Sequence, residues 1–104
     1  MSEYKCCMGG NQGGVDPRTK YKLSDRTIFV YDKPAGLFSF LKTWNLTTTF
    51  HIDDNTEGVI GFPKENGSGS VKLKNMKEGK LNVYIYGEFN QFIDKLKYLG
   101  VKII

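Results

Sequence analysis

The chain has 104 residues, 39% of them hydrophobic, with a formal net charge of +4 and a pI near 9.1. That length supports one domain around one core, and the apolar and aromatic content excludes a disordered chain. The positive balance excludes acidic mimicry of DNA; it permits contact with nucleic acid or another acidic partner without requiring it.

Residues 1–25 are expected to form a flexible, glycine-containing N-terminal arm. Gly9, Gly10, Gly13 and Gly14 surround Asn11 and Gln12, and Tyr4 to Met8 suits a short strand at most. A single domain is expected over 26–104. Thr27 to Tyr31 is β-branched and aromatic, the composition of a strand. Asp32 then offers an N-cap and Pro34 a first helical turn. Leu37, Phe38, Leu41 and Trp44 fall at helical spacing, which predicts a helix stopping at Asn45.

Thr47 to Asp53 alternates as a half-buried strand does, and Asp54-Asn55 marks a turn. Val59 to Phe62 reads as a short strand ended by Pro63. Val71 to Met76 and Leu81 to Tyr86 read as a hairpin around Glu78-Gly79. Phe89, Phe92, Ile93, Leu96 and Leu99 form one apolar stripe, which predicts a C-terminal helix closed by Gly100. Val101 to Ile104 is a short terminal strand or a packing segment.

The predicted order is β-α-β-β-β-β-α, an α+β two-layer sandwich: a mostly antiparallel sheet with two helices on one face. From Val71 through Leu99 (strand, Glu78-Gly79-Lys80, strand, Gly87, helix) this order resembles half of a TATA-binding-protein-type fold, similar to single-copy domains that precede the catalytic part of some ribonucleases. A ferredoxin-like plait with an inserted hairpin is the alternative.

Strand alternation sorts the side chains. Ile28, Val30, Thr48, Phe50, Ile52, Val71, Leu73, Leu81, Val83 and Ile85 are expected to face the helices. The open face would then carry Phe29, Tyr31, Thr49, His51, Lys72, Lys74, Asn82, Tyr84 and Tyr86. Aromatic rings give bases a flat surface to stack on and lysines neutralise phosphates, a combination that sheet-based RNA-binding domains use. The candidate binding residues are therefore Phe29, Tyr31, Lys72, Lys74, Lys80, Asn82, Tyr84 and Tyr86. Tyr31 and Tyr84 would stack successive bases if their strands were neighbours.

The leading expectation is a non-catalytic module that binds nucleic acid. The alternative is a small inhibitor or adaptor, phage- or mobile-element-encoded, that docks a larger protein through the same aromatics; the codon bias toward Lys, Asn, Ile, Tyr and Phe suits such an origin. A homodimer through an edge strand or this face is a further option.

An enzyme is not expected. His51 has Asp53 two residues on, but no nucleophile–base motif accompanies them. A metal site would have to draw on Cys6, Cys7, His51 and Asp53, and adjacent cysteines lack zinc-ligand spacing. Neither glycine-rich stretch leads from a strand into a helix, as a phosphate loop does, so no cofactor is expected. Adjacent Cys6 and Cys7 close no useful loop, which favours a reducing compartment. With no apolar run of signal-peptide length and none able to cross a bilayer, a cytoplasmic protein without membrane contact is expected. Asn45-Leu46-Thr47 and Asn66-Gly67-Ser68 match the glycosylation triplet by chance on this reading.

Overall fold

The computed structural model describes residues 2–7, 15–33, 43–61 and 67–104. Strands dominate: β1 (Ser2–Cys7), β2 (Val15–Ser24), β3 (Thr27–Asp32), β4 (Asn45–His51), β5 (Glu57–Ile60), β6 (Gly69–Asn75), β7 (Gly79–Ile85) and β8 (Lys102–Ile103). Among the described residues one helix, α1 (Phe89–Tyr98), lies between β7 and β8. The spatial order is β4-β3-β2-β1-β7-β6-β5-β8. It falls into two blocks, β4-β3-β2-β1 and β7-β6-β5-β8. Among the described residues a single pair, Cys6 opposite Ile85, joins them. Every pairing is antiparallel except that of β8 with β5.

This corrects the α+β sandwich with two helices on one face, and with it both the TATA-binding-protein-like half and the ferredoxin-like variant. Two segments account for the difference. The expected N-terminal arm supplies β1 and the ten-residue β2, which pair with each other from Ser2–Leu23 onward. In β2, Tyr21 and Leu23 are buried, and so is Tyr4 of β1. The helix expected after Asp32 falls mostly on 34–42, outside the described residues, while Thr43 and Trp44 are not helical. Asp32 ends β3, and its carboxylate accepts hydrogen bonds from Thr19 Oγ1 (2.6 Å) and Thr47 Oγ1 (3.0 Å), each on a neighbouring strand.

The rest follows from periodicity. In α1 the buried residues are Phe89, Phe92, Ile93 and Leu96, one stripe of an amphipathic helix. Gly100 follows with φ +102°, and Val101 N–H donates to the Leu96 carbonyl (3.0 Å), a left-handed stop that glycine makes without strain. Period-two alternation buries Ile28, Val30, Phe50, Val71, Leu73, Val83 and Ile85 toward that stripe, with Ile52 just past β4. Leu81 packs at the margin of the core. Thr48 lies on the expected side, opposite buried Val30, but is exposed on edge strand β4, where a register shift between Val30 and Tyr31 leaves Thr47 as an extra residue.

The sheet curls until its β4 edge meets the β6–β7 turn. Asn75 makes that junction. Its Nδ2 donates to the His51 carbonyl and to Thr56 Oγ1, both at 2.9 Å, and its Oδ1 accepts the Glu78 N–H at 2.6 Å. Thr56 is fully buried. Thr56 Oγ1 keeps its bonds to the Asp53 N–H and carboxylate, so removing the amide forfeits three hydrogen bonds, each worth about 0.5–1.5 kcal/mol. Asn75→Ala is therefore expected to lower stability by about 2 kcal/mol, measured as a lower urea midpoint at unchanged slope.

Candidate nucleic-acid interface

The outer face of the first block is built by cross-strand pairing. Lys20 lies opposite Tyr31 and Lys22 opposite Phe29; Glu3 lies opposite Lys22; Thr49 lies opposite Phe29 and Leu46 opposite Tyr31. Residues that face each other across a ladder share a side of the sheet, so all of these point away from the core. Trp44, just before β4, joins them.

The lysines lie over the rings. Lys22 Nζ is 5.2 Å from the Tyr31 ring centre and Lys20 Nζ 6.0 Å from it. Lys20 Nζ is also 4.6 Å from the Trp44 ring centre, and Lys33 Nζ approaches the same ring at 4.9 Å. The Glu3 carboxylate lies 3.7 Å from Lys20 and 3.9 Å from Lys22. Each cation–π contact at a solvated site is worth about 0.5–1 kcal/mol, and each surface ion pair about 0–1 kcal/mol. These contacts orient the ammonium groups over the rings, yet are weak enough for a phosphate to displace.

The second block carries the remaining candidates. Lys72 lies opposite Asn82, Lys74 opposite Lys80, and Ser70 opposite Tyr84. Lys72, Lys74, Lys80 and Asn82 are exposed, Tyr84 is half-buried, and Tyr86 follows β7 in an exposed position. Lys74 is 4.0 Å from the Glu57 carboxylate. The Tyr84 N–H points to the Tyr21 hydroxyl at 3.4 Å, which ties the second block to β2.

The eight candidates thus form two patches on one side of the sheet. Phe29 and Tyr31 belong to the first; Lys72, Lys74, Lys80, Asn82, Tyr84 and Tyr86 belong to the second. Tyr31 and Tyr84 are not on neighbouring strands, because β2 and β1 intervene. Three strand spacings put about 14 Å between their ladders. Sequence reasoning left Lys20, Lys22, Lys33, Trp44 and Glu3 out of the site. The alternation Lys20-Tyr21-Lys22-Leu23 was the signal that could have placed the first two on an outer strand face.

His51 and Asp53 do not act on each other. The His51 ring is hydrogen-bonded to Thr27, with Nδ1 3.0 Å from Oγ1. Asp53 Oδ1 accepts from Asn55 N–H (2.9 Å) and Thr56 Oγ1 (3.0 Å), closing the turn before β5. Among the described residues no group of three or more His, Cys, Asp or Glu could hold a metal, and no helix is long and apolar enough to cross a membrane. No protein-family model, curated protein or solved structure matches the chain.

Proposed function

We propose that the chain is a non-catalytic module that holds single-stranded nucleic acid against the outer face of β2, β3 and the start of β4. The observation that carries this reading is the set of Lys20, Lys22 and Lys33 ammonium groups poised over the Tyr31 and Trp44 rings. A single strand offers both complements at once, bases for the rings and phosphates for the lysines. The charge of the whole face supports the reading: Lys20, Lys22, Lys33, Lys72, Lys74 and Lys80 are opposed by Glu3 and Glu57.

A protein partner is the second reading, favoured by Leu46, which lies 51% exposed beside Tyr31 on edge strand β4. Salt separates the two. Each phosphate contact on a single strand contributes about 0.7 to the slope of log affinity against log salt. Fluorescence anisotropy with labelled single-stranded DNA and RNA is expected to show binding that weakens with salt. Lys20→Ala/Lys22→Ala is expected to flatten the slope by about 1.4. Binding indifferent to salt, or a variant with the wild-type slope, would count against nucleic acid and for a protein partner.

A further inference from the structure

We propose that the second patch contains a pocket for one unstacked nucleobase, the element that discriminates among bases. The inference rests on the nucleic-acid reading and extends it to a site about three strands away from the aromatic–lysine cluster.

The pocket has a volume of about 290 Å³ and is lined by Gly61, Ser70, Val71, Lys72, Asn82 and Tyr84. Register places its walls. Ser70 and Tyr84 face each other across the β6–β7 ladder, and Lys72 and Asn82 form the next outward-facing pair. Gly61 closes the Ser70 side, its N–H donating to the Ser70 carbonyl at 2.9 Å. A Cβ at residue 61 would lie 2.5 Å from Ser70 Oγ, so a side chain there would push the hydroxyl out of place. Glycine leaves Ser70 Oγ, on a residue only 7% exposed, bordering open volume.

The chemistry of the lining selects the ligand. A phosphodiester only accepts hydrogen bonds, so it would leave the Asn82 carbonyl unused. The Asn82 amide presents a donor beside an acceptor, and the edge of a base presents the complement. The Ser70 hydroxyl also does both. The half-buried Tyr84 supplies an aromatic wall, and Lys72 supplies one positive charge, suited to the phosphate attached to that base. The volume, equal to that of roughly ten waters in the liquid, is more than a phosphate fills.

The test is an NMR titration of the full ¹⁵N-labelled chain with each of the four nucleoside 5′-monophosphates and, separately, inorganic phosphate. Shifts at Gly61, Ser70, Asn82 and Tyr84 are expected with nucleotides and not with phosphate, with affinities that differ by about tenfold between the best and worst base. Asn82→Ala, at an exposed position, is expected to level that difference, and Asn82→Asp, which loses the donor, to change which base is preferred. Equal shifts from inorganic phosphate, equal affinity for all four nucleotides, or a preference that survives Asn82→Ala would overturn the pocket. Oligonucleotide binding that depends on Lys20 and Lys22 but leaves these amides unmoved would overturn the pocket alone. Nucleotide-specific shifts in a chain that binds no oligonucleotide would support the pocket and overturn the wider reading.

Discussion

Phe92→Ala is expected to cost about 3–5 kcal/mol, the range for truncating a buried phenylalanine. Phe92 is fully buried on α1. Its ring meets the Tyr4 ring edge-on, with centres 4.8 Å apart and planes at 73°, a geometry that adds about 0.5–1.5 kcal/mol beyond burial. Tyr4 belongs to β1, the strand through which the two blocks meet at Cys6–Ile85. β1 is laddered to β2 along its length, but its described backbone pairing with β7 is one residue pair, so the Tyr4–Phe92 contact helps to hold the first block against the second. A cavity at Phe92 therefore weakens the helix and the seam together. Against a typical domain stability of about 5–15 kcal/mol, the variant is expected to show a large unfolded fraction in urea titrations followed by circular dichroism. Tyr98→Ala on the same helix is the control: Tyr98 is 83% exposed, and its removal is expected to change stability by less than about 0.5 kcal/mol. A Phe92→Ala cost near that of the control would mean that α1 does not anchor the sheet.

The same contrast shows what could be read without coordinates. Helix α1 was legible because its stripe is local: Phe89, Phe92, Ile93 and Leu96 recur at helical spacing whatever they pack on. Strands β3, β6 and β7 were legible for the same reason, and their alternation sorted Ile28 and Val83 inward, Phe29 and Asn82 outward. β1 and β2 were not. Pro17, the charges from Asp16 to Lys22 and the glycine tract ahead of them mask an alternation carried by only Tyr21 and Leu23. Tyr4 packs edge-on against Phe92, far along the chain, and no window around Tyr4 contains it. Strand order was illegible too. The insertion of β2 and β1 between β3 and β7 separates Tyr31 from Tyr84, and it is β2 that brings Lys20 and Lys22 to Tyr31. Trp44 fits the helical spacing of Leu37 and Leu41, but its ring is engaged by Lys20 and Lys33 on the outer sheet face, so periodicity alone assigned it to the wrong surroundings.

Tyr31→Ala/Trp44→Ala is expected to lower affinity for single-stranded DNA or RNA about a hundredfold or more, because each stacked base is worth about 1–3 kcal/mol. Both rings are only half-buried, so the fold should survive, which a matching urea midpoint would establish. The lysines remain in this variant and are released from their cation–π contacts. The salt slope should therefore stay near that of the wild type while the affinity falls. The Lys20→Ala/Lys22→Ala variant behaves in the opposite way, with a flattened slope, and the pair of results separates stacking from phosphate contact. Tyr31→Phe keeps a flat ring and should bind nearly as the wild type does. Trp44 is the one tryptophan in the chain, so its own emission reports the event: a base stacked on the indole quenches it, and the quenching should saturate with the anisotropy signal. Quenching without saturation, or a double variant that binds as tightly as the wild type, would remove the rings from the interface and leave a purely electrostatic surface. Such a surface would hold any polyanion, so heparin competing as well as oligonucleotide would be the corresponding result.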